Sequence, residues 1–345
     1  MNDEHGSKRT GVSVTQATLD IVGIGNAIVD VIAQSDDAFL ASHALNKGAM
    51  QLVDAETAEL IYGEMGPGLE VSGGSAANTL AGMAALGMKC GFIGQVCDDQ
   101  LGGVFAHDIR ALGIHYGTPA SNGGVPTARC LILVTPDAQR TMNTFLGASQ
   151  FLPASALDPQ LIASARVLYL EGYLWDPEEP RKAMRSAIDM ARNAGREVAF
   201  TLSDNFCIAR HRDDFLALID NGKIDILFAN EGEIKSLNET DDFEAAVAVT
   251  AGKVGTLIVT RSEKGAIAIQ RGMRYEVAAE PVPQVVDTTG AGDLFAAGFL
   301  AGYLSGQTVQ ESLSMGAVAA AEVISHYGAR PEADLKQLMA KRLGK

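Results

Sequence analysis

Short apolar runs alternate along the chain with longer stretches of helical spacing. The runs at 19–25, 91–96, 128–135, 166–170, 197–202, 223–230, 256–260 and 265–270 are rich in Val, Ile and Leu and nearly uniform in polarity. That uniformity predicts strands covered on both faces. Between them, 75–87, 100–112, 178–195, 243–253, 290–305 and 307–327 have helical spacing, and Gly87 provides a C-cap for the first. Strand–helix alternation predicts an α/β fold, with a mostly parallel central sheet between two helical layers. Two stretches break the alternation. In 30–72, IVDVIAQ and AMQLVD read as strands separated by polar turns, and 120–148 reads as a strand flanked by SNGGVP and TPDAQRTMNTFLGAS. Both are expected to form a small β lid over the sheet edge. No repeat and no low-complexity linker divides the chain.

The chain has 345 residues, 47% hydrophobic and 20% charged, as ordinary globular proteins do. With 42 acidic and 27 basic residues its formal charge is −15, which disfavours a nucleic-acid or membrane-surface partner. A local site can still oppose that field and take an anionic ligand. Cys90, Cys97, Cys130 and Cys207 form no CxxC and sit at no zinc-ligand spacing, so they read as buried thiols in a reducing compartment. Residues 1–17 are polar, without the apolar segment of a signal peptide, and are expected to be a flexible tail. No run reaches the ~18 apolar residues of a membrane span. The expected location is cytoplasmic.

The most informative segment is VVDTTGAGDLFAAGFLAGYL at 285–304. A strand end meets Asp287, Thr288 and Thr289, then Gly290, Ala291, Gly292 and Asp293, then an apolar helix. Small residues at a helix start leave backbone N–H groups unobstructed, and the helix dipole adds positive charge there. Together they form an anion cradle. A carboxylate beside such a cradle repels the anion unless it has a task. The natural task for Asp293 is to take a proton from a hydroxyl attacking a phosphoryl group.

The string DTTGAGDLFAAGFLAGYL resembles the second signature of the ribokinase-like (PfkB) carbohydrate and nucleoside kinase family. VSGGSAANTLAGMAALG at 71–87 resembles its glycine-rich first signature, ANEGE at 229–233 its N-x-x-E element, and IVGIGNAIVD at 21–30 its opening strand. The four landmarks stand in family order between residue 19 and about 330, which implies one kinase domain over 18–335. Within the family, GIGNAIVD, AMQLVD, YLEGYL with DPEEP, FTLSDNFCI and IDILFANEGE are similar to strings of adenosine kinases. Two positions depart from many animal adenosine kinases: Thr289 takes the sugar-kinase form, and Val318 stands where they often carry histidine.

The resemblance implies an αβα sandwich with a β lid, ATP and Mg²⁺ as cofactors, and a monomer or a homodimer. It implies that Asp293 is the general base, with Gly290, Ala291 and Gly292 donating N–H groups to the transferring phosphate and Arg140 lying over the phosphates. Asn26 and Asp30 are expected to grip the ribose 2′- and 3′-hydroxyls, since an amide and a carboxylate together donate to and accept from a diol. Asn78 completes the sugar contacts, and Gly73 and Gly74 act as the lid hinge. Gln51 is placed near the base, with Met142, Leu146, Tyr173 and Phe206 walling a purine slot. Asn230 and Glu233 order water around Mg²⁺, although the same pair also reads as a helix capping box. Thr260, Arg261, Gly265 and Gly328 flank ATP. Asp287 is a candidate for a monovalent cation such as K⁺.

HRDDF at 211–215 does not signal a protein kinase, because position 218 is leucine where asparagine is required. No Walker loop is present, and Gly23 and Gly25 lack the third glycine of a dinucleotide fingerprint. The expected activity is transfer of phosphate from ATP to the 5′-hydroxyl of adenosine, giving AMP and ADP. A kinase for ribose, fructose or a related sugar is the alternative, and a non-catalytic nucleotide sensor is a third reading that the intact Asp293 disfavours.

Overall fold

The computed structural model describes residues 17–137 and 139–344. The first sixteen residues of the expected tail lie outside it. Fourteen strands are formed among the described residues: β1 (Leu19–Ile24), β2 (Ile28–Gln34), β3 (Met50–Leu52), β4 (Gly68–Gly73), β5 (Cys90–Ile93), β6 (His115–Tyr116), β7 (Ala128–Val134), β8 (Arg140–Phe145), β9 (Ala165–Glu171), β10 (Glu197–Thr201), β11 (Ile226–Asn230), β12 (Thr256–Thr260), β13 (Ala266–Gln270) and β14 (Met273–Val277). A nine-stranded sheet runs β14-β13-β12-β11-β10-β9-β1-β5-β6, and a five-stranded sheet runs β3-β8-β7-β2-β4.

The large sheet is parallel from β12 to β6, with antiparallel β13 and β14 on one edge. Alternation along each strand sends side chains to two cores. In β1, Ile21 packs with the helices Ser75–Ala85, Ala291–Leu304 and Val309–Val323, while Val22 and Ile24 pack with Glu178–Asn193 and Asn205–Asp220 on the other face. The result is a three-layer α/β sandwich. The glycine-rich run 294–304 is a packing device: a methyl at Gly298 would stand 2.4 Å from the Met315 carbonyl oxygen on the neighbouring helix. No helix among the described residues is long and apolar enough to cross a membrane.

The second sheet is built from the two stretches expected to form the lid, 30–72 and 120–148. The apolar run 128–135 forms β7 of this small sheet, as expected for 120–148, and pairs in parallel with β2. The stretch 30–72 also contains two helices, Asp37–Ser42 and Ala55–Glu64, where polar turns were expected. Each starts at an aspartate: Asp36 accepts from the Phe39 N–H, and Asp54 from the Thr57 N–H. The helix Asn205–Asp220 was hidden because its charged residues mask the spacing. There Asp176 accepts from Arg210 and pairs with His211, and Asp214 accepts from the Trp175 indole. The HRDDF motif is thus a network of paired charges on the outer face.

Candidate active site

The carboxyl ends of β1, β9, β10, β11 and β12 form one rim of the large sheet, where α/β folds bind their ligands. Val286 and Asp287 reach this rim through hydrogen bonds to the Ile324 carbonyl. The chain then turns at Gly290, whose φ of +77° is open to glycine, into the helix Ala291–Leu304. A methyl at Gly290 would stand 2.7 Å from the Ala329 methyl, whereas one at Gly292 would meet nothing within 4 Å. The first turn of that helix therefore faces open space over bare backbone. Ala291 N–H is held by the Thr288 carbonyl at 3.2 Å, so it is already partnered in this conformation.

Asp293 sits in the first turn, half-buried. Its Oδ1 accepts from the Ser75 hydroxyl at 2.6 Å and its Oδ2 from the Asn78 amide at 3.1 Å. Burial raises its pKa above the ordinary carboxylate range, against the Ser75 and Asn78 bonds and the charge of Arg330. Asp30, on β2, is pushed up to about 6 by burial, opposed by Arg330 and Arg140 and reinforced by Asp293. Gly73 and Gly74 close this corner. A methyl at Gly73 would lie 2.5 Å from an Asp30 carboxylate oxygen, and one at Gly74, where φ is +97°, 2.2 Å from the Asn26 carbonyl oxygen. These two glycines are therefore what lets β4 lie against Asp30 and Asn26.

Asn26 is 4% exposed. Its backbone and side-chain N–H groups both donate to Glu171 Oε1 at 2.7 Å, and its Oδ1 accepts from Ser149 at 2.8 Å. Glu171 also accepts from the Ala76 N–H at 2.7 Å. This fully buried carboxylate is pushed up to about 7 by burial, against the N–H groups of Asn26 and Ala76. It pins the β1 exit to the start of the helix Ser75–Ala85. A methyl at Gly25 would meet Glu171 Oε2 at 2.5 Å.

Asp287 is one of the best-partnered groups in the site. It accepts from the Thr289 N–H and hydroxyl at 3.0 and 2.7 Å and from the Gly328 N–H at 3.1 Å, and it forms an ion pair with Arg140. Arg140, expected on a polar loop, is the first residue of β8 and is buried, with its guanidinium over the Tyr327 ring at 5.6 Å. A monovalent cation at Asp287 would have to share that carboxylate with Arg140.

A second group lies further along the rim. Asn230 and Glu233 form the capping box: Asn230 Oδ1 accepts from the Glu233 N–H, and the Glu233 carboxylate accepts from the Asn230 backbone and side-chain N–H groups. Burial pushes Glu233 up to about 7, against the Asn230 N–H and helped by Asp204. Asn230, Thr260 and Arg261 line a cavity of ≈ 380 Å³, together with the backbone turn that Gly265 closes by accepting from the Arg261 N–H. Among the described residues, no group of three or more His, Cys, Asp or Glu is arranged to hold a metal ion.

Tyr173 follows the carboxyl end of β9, and Phe206 follows that of β10 in the first turn of the helix Asn205–Asp220. The Tyr173 phenol donates to the Ser203 carbonyl at 3.1 Å and its pKa is raised by burial, with Asp204, Asp293 and Glu233 adding to it. Phe206 is 73% exposed. Met142 and Leu146 are half-buried on and beside β8, and Gln51 on β3 donates to Asn143 at 2.9 Å. All four cysteines are free and buried, and burial pushes the Cys90 and Cys130 thiols up to about 12. Three site residues were not singled out by the sequence: Ser75, Glu171 and Arg330. Ser75 lies within the glycine-rich segment 71–87 and Glu171 within YLEGYL, strings that carried the resemblance without marking these side chains. Arg330 lies in none of the quoted strings.

The chain's likeness to known proteins agrees with this geometry. A 5-dehydro-2-deoxygluconokinase of Geobacillus kaustophilus (strain HTA426) is 29% identical over 265 residues, 74% of this chain and 79% of that protein. An adenosine kinase structure from Sinorhizobium meliloti shares 48% of its sequence with this chain, with a TM-score of 0.87 over 95% of this chain and 100% of that one. A probable sugar kinase structure from Rhizobium etli CFN 42 has the same identity and TM-score, covering 95% and 99% of the two chains. The model of the pfkB family of carbohydrate kinases matches residues 64–335. With that match over most of its length, and with both glycine-rich motifs meeting at Asp293, the chain belongs to the pfkB family of carbohydrate kinases.

Proposed function

We propose that the chain transfers phosphate from ATP to the 5′-hydroxyl of adenosine. The observation that carries the choice of acceptor is Phe206, an aromatic side chain left 73% exposed in the first turn of the helix Asn205–Asp220, just beyond the carboxyl end of β10. A planar base gains from stacking on such a face, and a free sugar has nothing to stack. The likeness to the Sinorhizobium adenosine kinase supports the same choice.

In this reading the acceptor's diol lies against Asp30, and its 5′-hydroxyl approaches Asp293. The ionised carboxylate accepts the proton as the phosphoryl group moves, and positioning supplies most of the rate. The open face at Gly292 receives the transferring group. Arg140 leaves Asp287 to neutralise phosphate charge, as a fork of donors is suited to do. ATP lies along Thr260, Arg261, Gly265 and Gly328. Mg²⁺ bound to the polyphosphate would offset its charge, and Asn230 and Glu233 would meet its water shell, which suits a cation that keeps several waters. The second sheet acts as a lid that excludes water.

A panel of adenosine, other nucleosides, ribose and fructose with ATP, followed by ADP release, tests the assignment. Adenosine is expected to give the highest kcat/KM, and Phe206→Ala to raise the KM for adenosine. Preference for ribose or fructose would replace it with the sugar-kinase reading, which Thr289 and the 5-dehydro-2-deoxygluconokinase relative favour.

A further inference from the structure

Arg330 lies outside every motif, in the segment that follows the helix Val309–Val323. Its guanidinium grips backbone. Nε and Nη2 donate to the Ser72 carbonyl at 2.9 and 2.6 Å, Nη2 to the Ser72 hydroxyl at 3.0 Å, and Nη1 to the Ala77 carbonyl at 2.7 Å. Ser72 is fully buried and its N–H is held from the other side by Asp108 Oδ2 at 2.7 Å. It immediately precedes Gly73 and Gly74. The two residues before Arg330 touch the phosphate turn: Gly328 N–H donates to Asp287, and the Ala329 methyl abuts Gly290. Residues 328–330 thus form a strap from the cradle to the glycine pair.

None of Arg330's four bonds ends on a carboxylate. Its charge is instead felt by Asp30, Asp108 and Asp293. Asp293 also faces Ser75 and Asn78, with Tyr169 and Glu171 within its field. Asp30 also faces Arg140 and Cys130.

We propose that Arg330 is a positioning residue for the phosphoryl transfer: it ties the turn carrying Asp287 and Gly290 to the Ser72 end of the Gly73–Gly74 pair, and it sets a fixed positive charge beside Asp30 and Asp293. The inference rests on the reading of Asp293 as the base, but not on which alcohol is the acceptor. Burial lowers the Arg330 pKa to about 10, so the group stays charged at neutral pH. The charge favours ionised Asp293, the form able to take a proton, and a misplaced cradle loses the near-attack geometry, a loss on the order of 10²-fold for a 1 Å error.

The test uses the full chain and whichever acceptor the wild type phosphorylates fastest, so a wrong acceptor does not masquerade as a failure here. Arg330→Met is expected to lower kcat about 100-fold and to move the acidic limb of the kcat/KM profile to higher pH. Arg330→Lys keeps the charge and loses the fork, so it should leave the limb in place while lowering kcat about tenfold. A folded Met variant with the wild-type limb overturns the proposal, even if its thermal stability falls. If the Met variant does not fold, the Lys variant decides: wild-type kcat and KM there overturn it. Turnover by Asp293→Asn near the wild-type rate would instead remove the base on which the inference stands, whatever Arg330 does.

Discussion

The Ser75 hydroxyl donates to Asp293 Oδ1 at 2.6 Å although 218 residues separate the two along the chain. Asn78 holds the other oxygen from the same helix. The two glycine-rich motifs therefore meet at one carboxylate. Two groups near the start of the helix Ser75–Ala85 thus hold its two oxygens, beside the open face at Gly292 in its own first turn.

Replacement of Asp293 by Asn keeps the shape of the group and removes its basicity. Turnover should fall by about 10² to 10⁴, while acceptor binding, followed by calorimetry, stays within a few-fold. Turnover within tenfold of wild type would take Asp293 out of the chemistry.

Ser75→Ala removes a bond that holds the Asp293 pKa down against burial. Asp293 should then stay protonated to higher pH, so the acidic limb of kcat shifts upward. The loss is largest below neutrality and shrinks toward pH 8. A uniform loss at every pH would show that the hydroxyl only orients the carboxylate.

Asp30 titrates near 6 in the folded chain because burial opposes its charge. Its ordinary value is about 4. A raised carboxylate pKa means that ionised Asp30 lowers stability: the cost is absent below about pH 4 and complete above about pH 6. Asp30→Asn should therefore stabilise the free protein more at pH 8 than at pH 4, as thermal melts would record. The same variant should lose discrimination between adenosine and 2′-deoxyadenosine, which a site built to bond that hydroxyl separates strongly. Equal rates of wild type on the two nucleosides would disprove the diol grip.

Gly74→Ala combines a positive φ with a 2.2 Å approach to the Asn26 carbonyl. Backbone strain and overpacking each cost about 1–3 kcal/mol. Chemical denaturation should show a loss of at least that size. Gly292→Ala, by contrast, meets open space and should leave stability within about 0.5 kcal/mol while lowering turnover. A Gly292→Ala variant with full activity would move the phosphate away from that face.

The layer architecture was legible because it depends on local composition. Strands such as β1 and β12 are apolar on both faces, and a run of that kind is stable only between two helical layers. The cradle at 290–293 was legible for the same reason, since small residues at a helix start have a local backbone consequence. The capping box of Asn230 and Glu233 spans four residues and reads directly. What the sequence could not determine is which distant groups share an electrostatic neighbourhood. Glu171 lies 145 residues from Asn26, and Arg330 lies 258 residues from Ser72. Their roles come from burial and charge, which act through space and fall off with distance in ångströms. Only the packing of β9, the glycine corner and the 328–330 strap brings those charges within reach of Asp30 and Asp293.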